Sequence, residues 1–304
     1  MQSIQPAVAQ SSGGFVNMLN DQSQTLADLE TIWTTLDSFY QRFSPQDWAR
    51  KHGRDWTFAD MPFHLAYFNQ MVINGIRNDH GEKAPLTMQE LNSWNNAHFT
   101  ERPASQAGAK GLEYLHETQA TLKQTAQYAP ETPVFLPLII VGGWRTLAFA
   151  LEYLLAHTWL HFTESHLRSR QSVPALPAEL VHRILNFNME MAKGTLRAED
   201  LAGVDLVTTL RLTGPGGGSW TFVMQDGKCH FEAMTPARVD AEITTDIATY
   251  MKTSVYNMQS PILALLMGKT RIKGVSKGQQ FQKIFAVTPS RIWNFVEVGK
   301  TTPE

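Results

Sequence analysis

The sequence predicts a multidomain fold: an N-terminal all-α four-helix bundle followed by a C-terminal α+β domain with an antiparallel sheet. Three observations predict it. Between residues 21 and 168, apolar side chains recur three and four positions apart, the period of one helix face. Gln171 to Pro177, QSVPALP, carries two prolines and no period, which marks a boundary. From Leu201 the pattern turns towards alternation, and Asp226-Gly227 joins two such runs as a hairpin turn does. The expected organisation is a flexible lead-in (1–20), a helical bundle (21–172) and an α+β domain (173–304).

Composition narrows the function. A hydrophobic content of 43% over 304 residues can fill two ordinary cores. A net charge of -2 with no clustered Lys and Arg argues against nucleic acid as a partner. The single cysteine, Cys229, excludes an intrachain disulfide framework and a cysteine-based metal cluster, and suits a reducing compartment, with the cytoplasm as the default. The amino terminus lacks the basic start and apolar run of a secretory signal. No apolar stretch approaches the roughly 20 residues that a membrane span requires.

Each element has its own signal. Leu26, Leu29, Trp33, Leu36, Tyr40 and Phe43 form the seam of a first helix over 21–43, ended by Ser44-Pro45. Trp48 and Trp56 in the following connection are expected to fold back over the open end of the core, with stacking on a ligand as the alternative. A second helix starts near Thr57 or Asp60, the later start favoured by Pro62, with Met61, Leu65, Phe68 and Val72 inward and His64 beside them. A short cover helix runs from Thr87 through His98. A third long helix runs from Ser105 to Tyr128, before Pro130 and Pro133. Val134 to Val141, closed by Gly142-Gly143, reads as a loop or a buried approach to the fourth long helix, Trp144 to Arg168. Beyond the boundary come a helix Ala178 to Lys193 and strands at Val204–Leu212, Trp220–Met224, Lys228–Met234 and Val239–Thr245. Asp246 caps a helix through Tyr250, and Ser260-Pro261 opens the apolar helix PILALLMG. A strand Thr270 to Lys273 and a helix Ser276 to Ala286 complete the domain.

The chemistry concentrates in ALEYLLAHTWLHFTESHLR, where His157 and His161 share one helix face four residues apart and continue an inward apolar stripe. Imidazoles so placed either ligate a divalent metal or are core histidines satisfied by other partners. Other motifs fail. Gly268-Lys269-Thr270 lacks the first glycine of a phosphate loop, since Leu263 stands there, and Gly216 to Gly218 lacks a strand-to-helix context. No serine occupies a nucleophile elbow, and Cys229 sits in a strand as a structural thiol.

DWTFADMPFHLAYF together with AHTWLHFTE resembles the DinB-type four-helix-bundle superfamily, and more narrowly its branch containing mycothiol-dependent maleylpyruvate isomerase, over roughly residues 21–170. The resemblance implies a divalent metal, commonly zinc or nickel, held by His64, His157 and His161. In the isomerase branch the first position of the late pair is often glutamate, where this chain has histidine, so the resemblance implies metal binding more firmly than the isomerase reaction. SWTFVMQDGKCHFEA, ITTDIATYMK and PILALLMGKTRIKG resemble a sterol-carrier-protein domain, which implies an apolar or lipid ligand.

Around these ligands, Glu164 (three after His161) and Asp60 (four before His64) either orient a ligand ring through its other nitrogen or serve as a helix face and a cap. His166, off the shared face, is expected to be exposed. Trp144 and Arg145 start the metal-bearing helix near a pocket mouth, where Arg145 either holds a substrate carboxylate or is a surface residue. The reading is a metal-dependent thiol transferase or isomerase, in which the metal activates a low-molecular-weight thiol or water and acts on a small-molecule substrate. The alternative is a carrier of an apolar molecule in the C-terminal domain, with Met234, Met251, Met258 and Met267 as adaptable lining or as ordinary core. A homodimer is the assembly to test.

Overall fold

Polar bridges tie four long helices into a ring in the first part of the molecule. The structure is a computed structural model and describes residues 22–53, 56–77, 107–136, 143–194, 196, 199–232 and 237–285. The chain forms two compact units, whose described residues fall within 22–165 and 166–285. The expected lead-in, the cover helix from Thr87, Gly142, Met234 and Ala286 lie outside the described residues.

Helix α1 (Gln22–Tyr40) buries Leu26, Leu29, Trp33, Leu36 and Tyr40 on its expected seam. It ends before Phe43 because Ser44 starts a short helix, α2 (Pro45–Ala49): the Asp47 carboxylate accepts from Ser44 N at 3.0 Å and Ser44 Oγ accepts from Asp47 N at 3.2 Å. Trp48 on α2 stacks on Tyr40 with ring centroids 5.2 Å apart, so this tryptophan does fold back over the core. A 3₁₀ turn (Phe58–Asp60) leads into α3 (Met61–Arg77), and α4 (Ala107–Lys123) follows, burying Leu115, Thr118 and Leu122.

Where the sequence suggested a loop or helix approach, the structure has an antiparallel hairpin, β1 (Pro133–Leu136) with β2 (Gly143–Thr146). Val134, Phe135 and Leu136 are all buried, and a strand covered on both faces shows no alternation by which to recognise it. Gly75 of α3 permits this packing, because a side chain there would collide with the Phe135 carbonyl. The fourth long helix, α5 (Leu147–Arg168), consequently starts later than Trp144. The Thr146 hydroxyl caps it by accepting from Phe149 N at 3.2 Å.

The ring closes through side chains. Thr25 of α1 donates to Glu152 of α5 at 2.9 Å, and Tyr40 meets Ser165 at 3.2 Å, itself 3.0 Å from His52 Nε2. Asn69 of α3 donates to Thr118 of α4 at 3.3 Å, and His116 of α4 meets Asp37 of α1 at 2.8 Å. The remaining side, α3 against α5, is bridged by histidines.

In the second unit α6 (Ala178–Gly194) precedes β3 (Leu206–Thr213), β4 (Gly218–Gln225), β5 (Lys228–Glu232) and β6 (Ala241–Asp246). Then come α7 (Ile247–Tyr250), a π turn (Met251–Val255), α8 (Pro261–Leu266), β7 (Thr270–Lys273) and α9 (Val275–Phe285). The sheet order is β5-β4-β3-β6-β7; β3–β4, β4–β5 and β6–β7 are antiparallel, while the central β3–β6 pair is parallel. Asp226 (φ 53°) and Gly227 (φ 70°) make the expected tight turn. Trp220, Phe222 and Met224 are buried on one face of β4. Trp220 Nε1 donates to Asn186 of α6 at 2.8 Å, and Phe222 lies 5.1 Å from Phe281 and 5.0 Å from Phe285 of α9, centroid to centroid. The other face is polar, with Thr209 against Thr221 and Glu242 between Arg211 and Lys273.

Candidate metal centre

His64 sits one turn into α3, and His157 and His161 sit one turn apart on α5. Their Nε2 atoms converge: His64 Nε2 is 3.1 Å from His157 Nε2 and 3.1 Å from His161 Nε2, and the three ligand atoms all lie within 4.8 Å of one another. An imidazole nitrogen carries either one in-plane proton or one lone pair, so His64 Nε2 cannot form a full hydrogen bond with both neighbours. The separations are instead close to the edge of about 3.3 Å that bonds of about 2.0–2.1 Å would give in a tetrahedral zinc site. Burial, then the neighbouring His161 and His64, pull the His157 pKa well below its ordinary value, so His157 is neutral at pH 7 and its lone pair needs no proton displaced. These residues fit a divalent cation.

Sequence comparison supports the same partition. Residues 28–165 match the DinB superfamily, and residues 188–286 match the SCP-2 sterol transfer family. The chain joins a DinB-superfamily domain to an SCP-2 domain. Among solved structures, a mycothiol-dependent maleylpyruvate isomerase matches with a TM-score of 0.50 at 12% identity, over 77% of this chain and 88% of the isomerase. That share is larger than residues 1–165 supply, so the likeness in fold extends into the SCP-2 half. Sterol carrier protein 2 from Yarrowia lipolytica matches 33% of this chain and 87% of its own, at 18% identity and a TM-score of 0.28. No curated protein matches the sequence.

Aromatic rings pack the DinB site. Phe68, one turn beyond His64, stacks on His157 with centroids 3.8 Å apart and planes at 15°, while Trp56 lies 4.8 Å from the His64 ring. Trp56 thus covers the histidines rather than a generic core end. His64 and His157 are buried, whereas the His161 side chain is 20% exposed, so the cluster opens to solvent at His161. His161 Nδ1 and Glu164 Oε2 are 3.1 Å apart, which leaves Nε2 as the nitrogen facing the other imidazoles. Asp60 caps the turn before α3: its Oδ2 accepts from Thr57 N at 2.6 Å and from Thr57 Oγ1 at 2.8 Å.

Other residues differ from expectation. Trp144 and Arg145 lie on β2, and Trp144 packs edge-on against Phe135 across the hairpin at 5.5 Å. Arg145 is half-buried, its guanidinium 5.8 Å from the Phe149 ring centroid, and burial lowers its pKa. Its Nη1 donates to the Trp144 carbonyl at 2.8 Å, and no carboxylate pairs with it among the described residues. His166, expected to be exposed, is buried, because it continues the core stripe Leu155, Trp159 and Phe162 at spacings of four, three and four. Tyr153 went unrecognised: it precedes His157 by one turn, its ring is 6.0 Å from that imidazole, and with Phe149 it extends the line of His157 and His161 along α5 towards Arg145. The i−4 spacing was the available signal. In the SCP-2 domain, burial raises the Cys229 pKa to about 12, which keeps the thiol protonated and unreactive.

Proposed function

We propose that His64, His157 and His161 hold one divalent metal ion, zinc or nickel, and that the chain is a metal-dependent enzyme catalysing thiol transfer or isomerisation of a small molecule. The observation that carries this reading is the convergence of three Nε2 atoms, two of them 3.1 Å from the third. When bound, such an ion lowers the pKa of a coordinated thiol or water. The protein supplies the rest. Glu164 fixes the tautomer and orientation of His161, and Phe68 fixes the plane of His157. Arg145, at the far end of the Phe149–Tyr153–His157 line, offers a guanidinium to an anionic group of the substrate or thiol. The fold shared with a mycothiol-dependent isomerase supports a thiol as the co-substrate, although His157 in place of the frequent glutamate separates this site from the isomerase pattern.

Metal analysis tests the reading first. Protein purified without added metal is expected to hold zinc or nickel at about one ion per chain, released by a chelator and regained on titration. Protein that arrives empty and takes up neither ion removes the proposal. Glu164→Ala is expected to weaken metal affinity about 10–100-fold, the usual effect of losing the partner that orients a ligating imidazole. Competition with a chelating dye measures it.

The SCP-2 domain supports a second, compatible role in binding an apolar molecule. The expected result is a lipid or other apolar ligand released by organic extraction of the native protein and detected by mass spectrometry.

A further inference from the structure

Helix α8 of the SCP-2 domain is apolar and faces outward. Ile262, Leu263, Leu265, Leu266 and Met267 are all exposed, Leu266 at 79% and Ile262 at 69%, while Ala264 alone is buried. A cluster of large aliphatic side chains on one short turn is the kind of surface that soluble proteins cover with a partner. Its charge setting says which partner. Residues 247–285 contain Lys252, Lys269, Arg271, Lys273, Lys277 and Lys283 and no Asp or Glu. Lys269 and Arg271 are exposed, immediately beyond α8 on the way into and along the edge strand β7. Lys273 pairs with Glu242 at 3.2 Å, whereas no carboxylate pairs with Arg271 among the described residues. Exposed aliphatic side chains on α8 and exposed cations directly after it in the chain match the two layers of an anionic bilayer surface, acyl boundary and headgroups. An acidic protein partner would answer the cations but gives no reason for five exposed aliphatic side chains.

We propose that α8, with Lys269 and Arg271, docks the SCP-2 domain on anionic lipid bilayers. The contact is peripheral: α8 is six residues long, and no described helix is long and apolar enough to cross a membrane. This places an apolar-ligand domain where its cargo dissolves, and it stands whether or not the DinB domain holds a metal.

Co-sedimentation of the full chain with vesicles tests the proposal, using phosphatidylcholine alone and phosphatidylcholine mixed with phosphatidylserine. Binding is expected to the mixed vesicles, weakly to phosphatidylcholine, and to fall with added salt. Ile262→Asp/Leu266→Asp is expected to lower partitioning at least tenfold. Lys269→Glu/Arg271→Glu is expected to lower it about thirtyfold or more, from roughly a fivefold contribution per cation near such a surface. All four side chains are outside the core, and circular dichroism checks that both variants fold. No binding to mixed vesicles, or binding that survives both double substitutions, overturns the proposal. So does a dimer, seen by light scattering, that Ile262→Asp/Leu266→Asp dissociates, since a second copy of the chain would then cover α8.

Discussion

His157→Ala is expected to lower affinity for zinc or nickel more than a hundredfold and to abolish the effect of metal on thermal stability. Losing a partner that merely orients a ligating imidazole costs about 10–100-fold, and removing a ligand outright costs more. In the wild type, metal at a hundred times its dissociation constant stabilises the folded state by about 2.7 kcal/mol. For a unit of this size that is a melting shift of roughly 5–10 °C between metal-loaded and chelator-treated protein. The substitution also removes a ring stacked on Phe68, so the variant is less stable than the wild type even without metal. The discriminating quantity is therefore the difference between loaded and chelated protein, read by scanning calorimetry. A wild type that melts at the same temperature with and without chelator would leave the histidines as core packing.

The legible part of this site was the part set by helical periodicity. His157 and His161 are on one helix, where spacing alone places them on a common face, and their inward stripe aimed them at the bundle. His64 could be placed one turn inside α3 because Asp60 and Pro62 locate the helix start, but only the resemblance to the DinB superfamily singled it out as a third ligand. The misread residues depend on contacts with no period. Phe135 and its neighbours are buried on both faces, so β1 looked like any apolar run, and the unseen hairpin carried Trp144 and Arg145 off the helix they were assigned to. His166 illustrates a narrower error: its position was judged against the metal face, whereas it belongs to the stripe through Leu155, Trp159 and Phe162. In the SCP-2 domain, turn chemistry at Asp226-Gly227 and the cap at Asp246 were local and readable. The parallel β3–β6 pairing was not, because strand order follows from how a chain returns to a sheet rather than from either strand.

Phe222→Ala is expected to destabilise the SCP-2 domain by about 3–5 kcal/mol, the cost of deleting a buried aromatic ring plus the cavity left behind. Phe222 is 1% exposed and touches Phe231 at 4.8 Å, Phe281 at 5.1 Å and Phe285 at 5.0 Å between centroids, so it joins β4, β5 and α9 in one cluster. Urea unfolding measures the loss. The same variant bears on how this domain accommodates an apolar molecule, because an apolar cavity closed to water stays dry and takes up apolar ligands of matching size. If cargo enters between the sheet and α9, the shortened side chain is expected to bind small hydrocarbons more tightly than the wild type and to recover part of its lost stability when they are added. Full destabilisation with no rescue by any hydrocarbon would assign the phenylalanine cluster to the solid core. The apolar ligand would then have to be sought away from the interface of the sheet with α9.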